Sequence, residues 1–177
     1  MKKIHFTADT HFGHILALTQ RMRPFASLSE MDDLLLSRWN ERVKPDDEVY
    51  HLGDVGHDHH DRLGETLDKL NGQIHLIRGN NDPCDLMEAT GRFESIAEMR
   101  EIAIGGQRIF LCHYPLREWP NAWRGAWHLY GHVHGKFDAT PLGLSLDVGV
   151  DSHSFGPIDM ETVAAEMRRR VPGAAAA

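Results

Sequence analysis

Hydrophobic and polar positions switch between two periods along this chain. Ile4-His5-Phe6-Thr7-Ala8 alternates, which predicts a strand with Ile4, Phe6 and Ala8 on one face. Met31, Leu34, Leu35, Trp39 and Val43 then recur at helical spacing and predict a helix over residues 29–43, with Ser27 and Glu30 as a capping box. Pro45-Asp46-Asp47 turns the chain into a second strand, Glu48 to Leu52, which ends at Gly53-Asp54. Leu63, Leu67 and Leu70 mark a second helix, stopped by Asn71-Gly72. A third strand, Ile74 to Ile77, ends at Gly79-Asn80, and Asp82-Pro83 starts a short helix. Further on, Ile96–Ile104 and Arg108–Cys112 flank Gly105-Gly106 as a hairpin. Trp127 to Tyr130 leads into Gly131, and Leu144 to Val150 reads as another strand. Met160, Val163, Ala164 and Met167 suit a last helix with Asp159 as its N-cap. The alternation of strands and helices predicts an α/β sandwich formed by one domain over residues 1–170, followed by a disordered tail, 171–177.

Composition narrows the reading. With 177 residues, one domain has enough chain to bury a core. The net charge of −7 gives no support to binding of long nucleic acid, which leans on Lys and Arg against phosphates. It leaves room for a nucleotide, because bound divalent ions would make a site locally positive. Cys84 and Cys112 form neither a Cys-x-x-Cys nor a disulfide framework, and Cys112 sits in an apolar run as a small hydrophobe. No stretch approaches the ~20 apolar residues of a membrane span. The N-terminus reaches Asp9 too soon for a signal peptide, so a reducing cytoplasm is expected.

Histidine is the unusual count, 13, and several fall where strands give way to loops. Asp9-Thr10-His11, Gly53-Asp54, Gly79-Asn80-Asn81-Asp82, His113 and Gly131-His132-Val133-His134 follow one another in this way. If extended geometry persists, Asp9 and His11 point to one side, and so do His132 and His134. The adjacent glycines permit tight turns and close backbone approach, and ligands beyond strand ends converge on a crevice. Carboxylate, imidazole and amide together fit a pair of borderline divalent cations; a structural zinc would want closely spaced thiolates. Asp54 can bridge two such ions at a separation of about 3.5–4 Å. Other histidines have simpler readings. His5, His75 and His51 are packed strand residues, His57, His59 and His60 form a solvated loop, and His128 and His153 receive no role. Trp119, Trp123 and Trp127 are either loop packing or an aromatic wall, and Arg117 and Arg124 are either solvated or phosphate contacts.

This series resembles the calcineurin-like metallophosphoesterase superfamily from residue 9 to residue 134, in the family's order. Asp9 to His14 and His113 to Leu116 are similar to a small bacterial or phage branch. The resemblance implies a four-layer α/β/β/α sandwich with two mixed sheets and two divalent ions, Mn2+ first, with Fe, Zn or Ni as alternatives. One ion would take Asp9, His11, Asp54 and His134, and the other Asp54, Asn80, His113 and His132. Water or hydroxide between them would attack phosphorus in line, and Asp82 would orient a ligand histidine. Many members carry His where this chain has Asn81, which can donate a hydrogen bond to phosphate but cannot act as a general acid. His14, His57 and Tyr114 are then the alternative proton donors. The expected activity is hydrolysis of phosphodiesters or nucleotide-type substrates without a membrane. Alternatives are a phosphomonoesterase for nucleotides or phosphoproteins, a nuclease for short strands, and a non-catalytic interaction scaffold on the same fold. The oligomeric state stays open.

Overall fold

Ser27 begins the longest helix as the local chemistry requires. Its hydroxyl accepts the Glu30 amide at 3.1 Å while the Glu30 carboxylate accepts the Ala26 amide at 2.7 Å. The computed structural model describes residues 2–20, 23–57, 60–138 and 142–170; the expected tail at 171–177 lies outside them. In chain order the elements are β1 (Ile4–Thr7), α1 (Ile15–Gln20), α2 (Leu28–Arg42), β2 (Glu48–His51), α3 (His60–Leu67), β3 (Gln73–Ile77) and α4 (Cys84–Ala89). There follow β4 (Phe93–Ala97), β5 (Met99–Ile104), β6 (Gln107–Cys112), β7 (Trp127–Tyr130), β8 (Ser145–Asp147), β9 (Ile158–Asp159) and α5 (Met160–Arg170).

Two mixed sheets result. The first has the order β4-β3-β2-β1-β9, parallel except for β9, and the second β5-β6-β7-β8, parallel except for β5. Period-two alternation sends Phe6, Tyr50, Leu52 and Ile77 inward against Ile109, Leu111, Leu129 and Leu146 of the second sheet. Val49, Ile74 and Leu76 point the other way and pack on Met31, Leu35 and Trp39 of α2, Leu63 and Leu67 of α3, and Met87 of α4. Phe110 and Cys112 face outward on the second sheet and are covered by Trp119 and Ala126. Trp119 donates to the Ala126 carbonyl at 2.8 Å, which makes it loop packing, whereas Trp123 is exposed. α5 packs where β1, β8 and β9 meet, burying Val163 and Met167. This is the α/β sandwich with two mixed sheets. Among the described residues, no helix is long and apolar enough to cross a membrane.

Three expectations change. The run 96–104 is not one strand: β4 ends at Ala97, paired with β3, and β5 starts at Met99 in the other sheet. A hydrophobic pattern does not name a strand's partner, so the crossing at Glu98 was hidden. The strand expected over 144–150 is shorter, ending at Asp147 before a 3-10 turn, Val150–Ser152. α1 and β9 had not been anticipated, being too short to show a period.

The strand histidines are packed, as their alternation suggested. His5 lies 3.1 Å from Asp47, His75 lies 2.7 Å from the Ser95 hydroxyl, and His51 lies 2.9 Å from the Thr10 hydroxyl. Asp159 caps α5: it accepts the Thr162 amide at 3.0 Å and hydroxyl at 2.8 Å, and meets Lys3 at 3.1 Å. Burial pushes its carboxyl up, but Thr162 and Lys3 outweigh that and hold it at about 2. The folded value lies below the unfolded value of about 3.9, so the stabilisation is complete above pH ~4 and is lost as pH falls through ~2. Asp159→Ala is expected to lower stability by about 1 kcal/mol at neutral pH. Urea unfolding across a pH series should show the gap to the parent protein closing in acid; a gap independent of pH would contradict this account.

Candidate metal centre

The motif residues leave their strands by a sharp reversal. Asp9, His11, Asp54, His132 and His134 have φ of 58°, 53°, 57°, 71° and 51°. This corrects the expectation of persisting extended geometry: Asp9 with His11, and His132 with His134, reach the cleft through left-handed backbone. Such φ values cost of order 1 kcal/mol or more per non-glycine residue and persist only where the surroundings over-determine them. The surroundings do so here. The Asp9 amide donates to Gly53 O at 2.9 Å, the His11 amide to Asp54 O at 3.0 Å, and the Gly131 amide to His113 O at 3.0 Å. Asp82 accepts the amides of Asp54, Val55 and Gly79, each at 2.8 Å. It therefore holds the loop that presents Asp54, rather than orienting a ligand histidine.

Two groups of side-chain donors result. One atom each of Asp9, His11 and His134 lie within 4.8 Å of one another, and so do one each of Asp54, His113 and His132. Asp54 stands between the groups, with Oδ2 3.5 Å from His11 Nε2 and Oδ1 3.7 Å from His113 Nε2. Asn80 joins the second group, its Oδ1 3.0 Å from His113 Nε2. All the ligand positions expected from the motifs thus face one cleft.

The donor atoms fit cations. Leu52 O lies 2.7 Å from His113 Nδ1 and holds the proton there. Nε2 and Asn80 Oδ1 consequently turn lone pairs toward each other, an arrangement that a cation reconciles. In the first group, Asp9 Oδ1, His11 Nε2 and His134 Nε2 are buried without a hydrogen-bond partner. Unpaired buried acceptors are costly, and a metal ion would satisfy all three. Burial, together with Asp147 and Asp54 nearby, pushes the Asp9 carboxyl well above its usual range. Burial also lowers His11 to about 3 against the attraction of Asp54, which keeps the imidazole neutral, its ligating form. Asp54 itself is buried, but His113 and Asn81 outweigh that and hold it below the usual carboxylate range.

The remaining candidates occupy the rim. Asn81 donates its backbone amide to Asp54 Oδ1 at 2.9 Å and its side-chain amide to Oδ2 at 2.8 Å. His14 sits with Nδ1 3.1 Å from His11 Nδ1 and its ring 5.0 Å from the exposed His57. Tyr114 is exposed, with its ring centre 4.7 Å from that of His132 in an edge-on arrangement. His59 and the side chain of His60 lie outside what the structure describes. Three residues had escaped the sequence reading. Asp151 lies 2.7 Å from His134 Nδ1, Arg23 forks onto Asp151, and Asp147 accepts the amides of Gly135 and Gly149 at 2.8 Å each. None follows a strand-glycine motif, so no spacing marked them.

The model for the calcineurin-like phosphoesterase superfamily domain matches residues 2–143. The chain belongs to the calcineurin-like phosphoesterase superfamily. It is similar to an uncharacterized protein of Methanocaldococcus jannaschii, 30% identical over 170 residues that span 92% of this chain and 90% of that one. It is also similar to the Gene 66 protein of Mycobacterium phage D29, 27% identical over 190 residues, 90% of this chain and 94% of the phage protein. A solved protein of unknown function from Aquifex aeolicus shares the fold, with a TM-score of 0.77 at 21% identity, covering 94% of this chain and 100% of that one. As a calcineurin-like phosphoesterase, the chain carries its phosphoester chemistry on loops between two sheets that hold them rigidly.

Proposed function

We propose that this calcineurin-like phosphoesterase hydrolyses phosphodiesters or nucleotide-type esters at two divalent ions bridged by Asp54. The observation that supports this reading is the convergence of two donor groups around Asp54, with three buried ligand atoms lacking a hydrogen-bond partner. Two bound ions would supply an activated water and positive charge for the phosphoryl oxygens. Asp9, His11, Asp54 and His134 would hold one, and Asp54, Asn80, His113 and His132 the other. The mixture of carboxylate, imidazole and amide suits Mn2+ first, with Fe, Zn or Ni next.

The chain's own groups then do the following. Leu52 O holds the His113 proton on Nδ1 and so keeps Nε2 available. Asn81 grips both oxygens of Asp54 and limits its rotation, a use of the amide that the sequence reading had directed at phosphate. Asn81 has no ionisable proton to give a leaving group. That weighs most against simple alkyl monoesters, whose loose transition state places the most negative charge on the departing oxygen, and least against diesters and activated esters. The full set of ligand positions argues against a non-catalytic scaffold, and the chain's acidic balance argues against long nucleic acid.

The test compares a monoester and a diester of one alcohol, with Mn, Fe, Zn, Ni or Mg added back to chelator-treated protein. The expected result is turnover that requires added ion and favours the diester. A strong preference for the monoester would overturn the substrate reading, and full turnover in chelator would overturn the metal reading.

A further inference from the structure

Arg23 and Asp151 stand far apart in sequence and outside every motif, yet they meet behind the first donor group. Arg23 is 5% exposed. Its Nε lies 2.9 Å from Asp151 Oδ1 and its Nη2 2.9 Å from Oδ2, a two-pronged guanidinium–carboxylate pair. The same guanidinium donates to Asp9 O at 2.6 Å and to Thr10 O at 3.0 Å. These carbonyls belong to the left-handed stretch that turns Asp9 and His11 into the cleft. Asp151 sits in the 3-10 turn after β8, which is fastened to the residue following β1 by the Val150 amide on Ala8 O at 3.0 Å. From there its Oδ2 receives His134 Nδ1 at 2.7 Å.

One cation thus ties together the backbone that presents Asp9 and His11 and the carboxylate that orients His134. All three residues of the first donor group depend on it. The second donor group is held by different atoms: Leu52 O on His113, and Asn81 on Asp54. We propose that Arg23 and Asp151 are positioning residues that preset the seat of one ion, the one taken by Asp9, His11 and His134, and leave the other seat unaffected. The physical basis is twofold. A hydrogen bond from Nδ1–H to a carboxylate fixes the tautomer, aims Nε2 and raises its basicity toward a metal. Arg23 keeps that carboxylate from remaining an uncompensated charge, and its fork fixes the carboxylate plane as a point-charge ammonium could not.

The inference rests on the metal-binding reading above, and the experiment separates the two. Mn2+ binding to the full chain is titrated calorimetrically for the parent protein, Asp151→Asn and Arg23→Lys, with thermal unfolding of each metal-free protein alongside. Asp151→Asn keeps the shape and an acceptor oxygen but removes the charge. Arg23→Lys keeps the charge but removes the fork. The expected result is two bound ions in the parent and, in Asp151→Asn, a roughly 10- to 100-fold weaker affinity for one of them. The other ion is expected to bind as in the parent, and Arg23→Lys should weaken the same ion by a smaller factor. If both variants fold and bind both ions as tightly as the parent, the positioning role is overturned. It is overturned equally if each variant weakens both ions in parallel with a loss of metal-free stability, because the pair is then structural only. If Asp151→Asn fails to fold, Arg23→Lys decides by whether it weakens one ion selectively. A parent protein that binds no Mn2+ would instead defeat the metal-binding reading itself.

Discussion

Asp54→Asn is expected to lower kcat/KM for a diester by at least about 10³, or about 4 kcal/mol of transition-state stabilisation. Asn keeps the volume of Asp and tolerates the left-handed backbone that residue 54 adopts, with φ of 57°. The fold should therefore survive. What is lost is the charge between His11 Nε2 and His113 Nε2, 3.5 Å and 3.7 Å from the two carboxylate oxygens. Asp54 contacts both donor groups through these two oxygens, so both ions would lose the charge of the ligand they would share. The metal-free variant should unfold somewhat earlier than the parent, because His113 and Asn81 favour the Asp54 carboxylate and one of the two Asn81 donors would face an NH2 instead of an oxygen. Steady-state kinetics with Mn2+ and metal-free thermal unfolding check both halves. Undiminished turnover would remove the bridging role.

Gly131→Ala should be strongly damaging although it adds a single methyl group. Its Cβ would stand 2.4 Å from Ala8 Cβ and 2.6 Å from Asp9 Oδ2. Neither neighbour can yield: Ala8 follows directly on β1, and Asp9 Oδ2 already accepts the His132 amide at 2.8 Å. The residue's own φ is not left-handed, so the requirement is for space rather than torsion. Overpacking of this kind costs typically 1–3 kcal/mol. Here it would also displace Asp9 and His132 together, and Mn2+ affinity should fall with stability. Gly64→Ala is the control. It lies within α3, with nothing within 4 Å of its Cβ position, and should stabilise by about 0.5–1 kcal/mol. Urea unfolding of the two variants should therefore shift in opposite directions. A neutral Gly131→Ala would contradict the close-packed crossing of the loops.

The chain's own pattern carried a large share of this outcome. α2 appears within one residue of its expected bounds because Ser27, Glu30 and the spacing of Met31, Leu35 and Trp39 are local instructions. The motif residues Asp9, His11, Asp54, Asn80, His113, His132 and His134 were recognisable for a similar reason, since each follows an apolar strand. Physical chemistry limited the rest. Which sheet a strand joins depends on partners far along the chain, so the division at Glu98 between β4 and β5 left no local trace. The left-handed turns at Asp9, His11, Asp54, His132 and His134 oppose the intrinsic preference of those residues and exist only because neighbouring loops hold them.

Most of the strands, the main helix and the identity of the donor side chains were thus written in residue type and period, which act over a few positions. The tertiary structure alone decided that Asp82 serves backbone amides, that Asn81 grips Asp54, and that Arg23 and Asp151, 128 positions apart, close behind His134. These contacts join groups distant in sequence, side chain to backbone or side chain to side chain, and their energy exists only after two sheets have brought separate loops to a single cleft.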